Sequence, residues 1–331
     1  MRALIAIPLL LSVAAAACGP GRNPFAAADA GTDAAADAGP VDEDGGDALG
    51  DGPAPDGDSD GAGGDPVADA GGPDSRCTVT RWTVACPHRS DWLATAAPGF
   101  ELRQVHWQLP LGQPPAAGWP AAVFFQGTAF SSQYIWSGLR GEVYGAFHQA
   151  RTMQQLLDAG VAVVAPEAHL QGSTWWDTNI APFARNWTSA PDHALMLALL
   201  EAIDAGRFGP LDPERLFAFG FSSGGYMTSR VGLAYPGRFR ALAICSASYA
   251  TCSSSLCAVP ASQPDTHPPT LFLHGLLDAA VPEWTMRPYE RALRRSGIAT
   301  RVITDALAGH QWLPAAPEAI GTWFAEHDPG N

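Results

Sequence analysis

Six short apolar runs recur along the chain, and most neighbouring pairs leave room for one helix between them. They are "AAVFFQ" (121–126), "VAVVAP" (161–166), "RLFAFGF" (215–221), "RALAICSA" (240–247), "PTLFLHG" (269–275) and "TRVITD" (300–305). Helix-like patterns fill 148–160, 190–206, 223–237, 282–297 and 317–328, and Gly160, Gly206 and Gly297 sit where helices would stop. Apolar runs without alternation need cover on both faces. The chain should therefore form an α/β fold: a mostly parallel central sheet with helices on both faces. Earlier runs near 79–85 and 101–109 read as antiparallel edge strands. Functional residues in such sheets gather at the carboxyl ends of the strands.

One of those ends carries "GFSSGGYMTSR" (220–230), a Gly-x-Ser-x-Gly pattern centred on Ser222. The bare pattern is weak in a glycine-rich chain, but its flanks make it specific. A continuous apolar run ends at Phe221 and a helix pattern begins at Ser223. Gly220 and Gly224 would let strand and helix backbones approach while the serine is held in a strained turn. That is the nucleophile elbow of an α/β-hydrolase fold. Serine needs a base, and the base needs an orienting acid. In this fold the order is Ser, acid, His. "TLFLHGLLDAAVP" puts Asp278 just after a strand, and "LAGHQWLP" puts His310 in the loop before the last helix. His274 reads as a brace for the Asp278 loop, and His267 lies in a Pro-rich loop. Asp265 precedes its strand and should lie at the wrong end of the sheet, and Glu283 is less well placed. The oxyanion needs two N–H donors. Ser223 should supply one from its backbone, and Thr128, in "VFFQGTAF", the other, with Ala129 as the alternative.

The chain opens "MRALIAIPLLLSVAAAAC", with Arg2 ahead of an apolar stretch too short to span a bilayer. Residues 1–17 read as a signal peptide of lipoprotein type, with Ala15-Ala16-Ala17 before a lipidated Cys18. The expected location is therefore the outer membrane or cell surface, through a lipid anchor on Cys18, or else the extracellular medium if the protein is plainly secreted. Residues 18–75 are rich in Ala, Gly, Asp and Pro. From 19 to 75 there are 14 acids and one base, Arg22, so this segment should be a disordered acidic linker. It carries almost all of the net charge of −14, leaving 19 acids against 17 bases in the catalytic domain expected at 76–331. No basic patch suggests nucleic acid. "DGDSDG" (56–61) opens like a calcium loop, but Val67 stands where the twelfth-position Glu should be. No metal or organic cofactor is expected. Outside the cytoplasm, cysteines should pair. Local pairing would join Cys77 to Cys86 and Cys252 to Cys257, leaving Cys245 free inside a strand; spacing alone does not choose the connectivity.

The stretches 220–260, "HPPTLFLHGLLDAAVP" and "LAGHQWLPAAP" together resemble the extracellular depolymerases of medium-chain-length polyhydroxyalkanoates, serine hydrolases of a storage polyester. The resemblance is strong over 215–325, looser over 76–214 and absent from the linker. It implies Ser222 as nucleophile, Asp278 as acid and His310 as base. The lipoprotein-like start and long acidic spacer depart from the secreted enzymes. A polymeric, apolar ester also suits the tryptophans, several of which fall in expected loops. Trp175, Trp176 and Trp312, with Tyr226, are the candidate substrate contacts, and 169–187 is a long insertion on the side where a site should lie. The expected partner is a hydrophobic polyester or another polymeric ester, bound by a monomer. Two rivals stand beside this reading: a feruloyl or acetylxylan esterase acting on polysaccharide esters, and a non-catalytic surface binding protein.

Overall fold

The computed structural model describes residues 75–169, 176–252 and 258–330. The leader, Cys18, the linker to 74, Trp175 and Cys257 lie outside the described residues. The strands are β1 (Thr78–Val79), β2 (Thr83–Ala85), β3 (Arg89–Ala94), β4 (Leu102–Gln108), β5 (Trp119–Phe125), β6 (Ser137–Leu139), β7 (Ala162–Pro166), β8 (Leu211–Phe221), β9 (Ala241–Cys245), β10 (Thr270–Gly275) and β11 (Thr300–Asp305). Eight of them form one sheet in the order β11-β10-β9-β8-β5-β7-β4-β3. The six expected apolar runs supply its parallel part. β4 joins antiparallel to β7, and β3 antiparallel to β4.

Two expectations need correction. The run near 79–85 is not an edge of this sheet. It forms β1 and β2, which pair with β6 in a separate three-stranded sheet. Nor is 101–109 the edge, because β3 lies outside it. β3 exposes most of its side chains, so it carries no apolar run to reveal it.

The parallel strands read as continuous apolar runs because both faces are covered. Along β8, Phe217, Phe219 and Phe221 enter one core layer, packed with the helices Ala146–Asp158 and Ala316–Glu326. Leu216 and Ala218 enter the other, with Leu195, Met196 and Leu199 of the helix Pro191–Asp204. This is the two-residue strand period. The helices Ala146–Asp158, Pro191–Asp204 and Arg287–Arg295 run into the expected glycine stops, where Gly160, Gly206 and Gly297 have φ of 81°, 71° and 74°. Cys77 and Cys86 form a disulfide that spans the β1–β2 hairpin. Cys252 is also disulfide-bonded, while Cys245 is a buried free thiol at the end of β9.

A third apolar cluster joins the helices Ser223–Ala234 and Arg287–Arg295. A polar chain threads it: Ser229 donates to the Tyr289 hydroxyl at 3.1 Å, and that oxygen lies 2.6 Å from His267 Nε2. Burial pushes the His267 imidazole down to about 4, although its bond to the Pro268 carbonyl opposes the shift. On acidification the unfolded chain takes up this proton first, near 6.5. The contribution of His267 to stability is therefore full above about pH 6.5 and lost as pH falls toward 4, up to about 3 kcal/mol. Thermal melts of His267→Gln should show a shallower loss between these values than the wild type.

Candidate active site

Ser222 sits between β8 and the helix Ser223–Ala234 with φ 54° and ψ −120°, a strained backbone for a non-glycine residue. The turn is this tight because three backbones meet around it. A Cβ on Gly220 would lie 2.3 Å from the Gly224 oxygen, and one on Gly224 would lie 2.0 Å from the Phe125 oxygen and 2.5 Å from that of Gln126. Ser222 N–H is anchored to the Cys245 oxygen at 3.0 Å. Among the described residues, the other positive-φ non-glycine residues are Ala129, Tyr144, His169 and Ser246. Ala129, His169 and Ser246 follow the carboxyl ends of β5, β7 and β9, so the strain gathers at the end of the sheet where Ser222 lies.

Asp278 and His310 arrive at the same place. His310 Nε2 is 2.9 Å from Ser222 Oγ, and Nδ1 is 2.8 Å from Asp278 Oδ2. Asp278 Oδ1 accepts the N–H groups of Ala280 and Val281 at 3.0 and 2.8 Å. His274, buried behind the acid, donates from Nε2 to the Val281 carbonyl at 2.7 Å, with Asp278 Oδ2 at 3.5 Å. It braces the acid loop, as its position in the sequence suggests. Burial alone would raise the Asp278 carboxyl. Its interactions with His274, His310 and the Val281 N–H outweigh that and hold it below the usual carboxylate range. An ionised Asp278 favours a proton on His310 Nδ1, which leaves Nε2 free to accept from the serine. The other candidates lie elsewhere: His267 is in the third core cluster, and Glu283 pairs with Arg287.

Ser223 N–H is the first of the helix, and helix N-termini leave such donors unpaired. Thr128 N–H donates to nothing among the described residues and lies in an exposed turn ahead of Ala129. Two residues before Thr128, Gln126 is buried and held from two sides. Its carbonyl accepts Trp176 Nε1 at 2.9 Å, and its side chain accepts Ser132 Oγ at 2.7 Å.

Three expected substrate contacts are instead core residues. Trp176 and Trp312 are both fully buried. Trp176 packs edge-on against Phe125, and Trp312 packs against Phe124 and Phe219 with Nε1 on Thr152. Tyr226 is buried one turn into the helix after Ser222. All three rings fill the core. Trp136 and Trp187 are buried too, while Trp284 is exposed. The rings that do flank His310 are Phe221, 4.9 Å away, and Tyr144, 6.3 Å away. Tyr144 carried no motif. Its only sequence signal is the flanking pair Gly141 and Gly145.

The 176–190 segment is fastened by buried charge. Arg103 pairs with Asp192, Asp192 accepts Asp177 N–H at 2.7 Å, and His169 Nε2 lies 3.0 Å from Asp177. Three of these groups could face a cation, with ligand atoms within 4.8 Å of one another. The Arg103 guanidinium already supplies the positive charge there.

No family model matches the chain. Over 244 residues it is 43% identical to the poly(3-hydroxyoctanoate) depolymerase of Pseudomonas fluorescens, covering 74% of this chain and 86% of that one. This chain belongs to the poly(3-hydroxyoctanoate) depolymerase family. It is an ester hydrolase. Among solved structures, an S-formylglutathione hydrolase from Agrobacterium tumefaciens aligns with a TM-score of 0.52 at 14% identity, over 76% of this chain and 98% of that one. The dipeptidyl peptidase 4 of Porphyromonas gingivalis aligns at 0.51 and 14%, over 73% of this chain but only 35% of the peptidase. At these identities the likeness concerns the fold, which this depolymerase-family chain shares: the α/β-hydrolase fold.

The backbone approach at the elbow is testable with two matched substitutions. Gly224→Ala should destabilise by about 3 kcal/mol, or roughly 6–12 °C in melting temperature, because backbone oxygens cannot move aside cheaply. Gly321→Ala, in the middle of a helix and facing open space, should instead stabilise by about 0.5–1 kcal/mol. Calorimetry of both variants checks the pair.

Proposed function

We propose that the protein is a serine esterase that hydrolyses polyhydroxyalkanoate, with a preference for medium-length side chains. The observation that carries this reading is the hydrogen-bonded chain Ser222–His310–Asp278 in a member of this depolymerase family. His310 Nε2 takes the Ser222 proton as Oγ attacks the ester carbonyl. The N–H groups of Ser223 and Thr128 receive the oxyanion. Collapse expels the alcohol end of the chain, which takes the proton from His310. Water, deprotonated by His310, then attacks the acyl-enzyme; the bond to Ser222 Oγ breaks, Oγ takes the proton back from His310, and a 3-hydroxyacyl acid or a short oligomer is released. Asp278 holds the imidazole tautomer throughout.

The apolar opening and the Ala15-Ala16-Ala17-Cys18 stretch support export with a lipid on Cys18, and the acidic residues 18–75 support a spacer to the catalytic domain at 76–331. Stretched out, a spacer of this length reaches roughly 190 Å. Mass spectrometry of the mature N-terminal peptide should find it starting at an acylated Cys18. An unmodified N-terminus after Ala17 would leave plain secretion.

Turbidity clearing of two polyester latexes, one with medium-length and one with methyl side chains, tests the substrate. The wild type should clear the first and Ser222→Ala neither. Asp278→Asn should slow kcat about a thousandfold or more with little change in KM. Cleavage of soluble esters with both latexes left intact would sink the polyester reading.

A further inference from the structure

The tryptophans do not form an adsorption surface, yet the opening around the triad is apolar. Leu307 is 86% exposed, Val143 71%, Leu277 61% and Trp284 58%, with Leu276 and Tyr144 also exposed. Five of the six, all but Trp284, lie on the loops that carry Asp278 and His310 or in the turn that flanks His310. Leu276 and Leu277 immediately precede Asp278, Leu307 comes three residues before His310, and the Tyr144 ring is 6.3 Å from His310. A single exposed leucine needs no explanation, but several gathered around one site mark a contact surface.

They are also held outward. Leu276 N–H bonds the Asp305 oxygen at 2.8 Å and Leu277 N–H the Ala308 oxygen at 2.9 Å, which ties the acid loop to the histidine loop. Asp305 Oδ1 accepts the N–H groups of Leu307 and Ala308 at 2.9 and 3.2 Å. On the other side, Trp312 N–H bonds the Tyr144 oxygen at 3.0 Å, fixing the Val143–Tyr144 turn beside His310. The backbone under Leu276, Leu277 and Leu307 is thus pinned by the bonds that join the acid loop to the histidine loop.

From this we infer that Leu276, Leu277, Leu307 and Val143 form a rim beside the triad that adsorbs the protein onto solid polyester. The inference rests on the polyester reading of the site. A solid bearing alkyl side chains offers aliphatic surface that these residues can bury, and several leucines together suit it better than a ring-stacking partner would. The near balance of 19 acids and 17 bases over 76–331 gives the domain no strong charge of its own. Adsorption should therefore be driven by apolar burial and should not weaken as salt is raised. Adsorption at this rim would present ester bonds to Ser222 without a separate binding domain.

The test uses the full chain with Leu277→Ser/Leu307→Ser, with Leu277→Met/Leu307→Met as the apolar-retaining pair and Leu197→Ser, an exposed leucine on the helix Pro191–Asp204, as control. Adsorption isotherms on poly(3-hydroxyoctanoate) latex are recorded in the Ser222→Ala background, where no hydrolysis erodes the surface. The serine pair should weaken adsorption about tenfold or more. In the active background, its ratio of latex clearing to p-nitrophenyl octanoate hydrolysis should fall by a similar factor. The methionine pair and Leu197→Ser should match the wild type, and added salt should not release the protein. Unchanged adsorption by the serine pair would overturn the inference. So would equal losses on latex and on the soluble ester. If the wild type adsorbs and cleaves the soluble ester but never clears the latex, the substrate reading fails instead, and the adsorption isotherms still decide the rim.

Discussion

The backbone oxygens of Phe125 and Gln126 sit where a side chain on Gly224 would have to be, and the Gly224 oxygen sits where one on Gly220 would be. This mutual approach of β5, β8 and the helix Ser223–Ala234 constrains the rest of the site. It draws the helix N-terminus against the ends of the central strands, so its unpaired donors open beside Ser222. It also forces the chain through a turn so sharp that Ser222 takes a positive φ. The loop after β5 is brought to the same point, because Phe125 pairs with Gly220 in the ladder. Nucleophile, helix dipole and the proposed second oxyanion donor are thus consequences of one packing condition, which only glycine satisfies.

Electrostatics at the site are settled by counting partners. Asp278 is buried, which disfavours its charge, but it faces two histidines and two backbone N–H groups. The partners prevail, so the acid stays ionised and the imidazole tautomer is set. The 176–190 segment is held differently. Arg103, Asp192, Asp177 and His169 form a buried chain, and beside it Glu167 accepts from Ser131 and pairs with His106 at 3.0 Å. Buried ion pairs add little net stability, but breaking one strands a charge. Such a chain favours one arrangement of the segment over its alternatives, and that arrangement brings Trp176 onto the Gln126 carbonyl.

Stability and adhesion divide along the same line. The aromatic rings that look best suited to bind an apolar solid are spent on the core: Trp312 wedges against Phe124 and Phe219, and Trp176 against Phe125. The apolar side chains left exposed beside the triad are mostly aliphatic, and Leu276, Leu277 and Leu307 lie on the loops that carry its acid and base. An esterase that works on a solid needs its nucleophile near the contact plane, and loops that serve both purposes meet that need without a second domain.

The sequence by itself determined the parallel sheet, the helix stops and the triad. Those features are written in local terms: apolar runs of strand length, glycines at helix ends, and a serine, an acid and a histidine each just past a strand. It could not say that 79–85 leaves the main sheet to pair with Ser137–Leu139, or that the polar segment 89–94 becomes its edge. Strand partners are chosen by distant residues, and an exposed edge strand has no apolar period to betray it. Nor could it sort tryptophans from leucines at the opening. A ring's intrinsic preference is the same in either place, and only the packing of the 176–190 and 306–315 segments decides which side chains are enclosed. Burial is a property of the assembled molecule, so the candidate triad was local information and the nature of the surface around it was not.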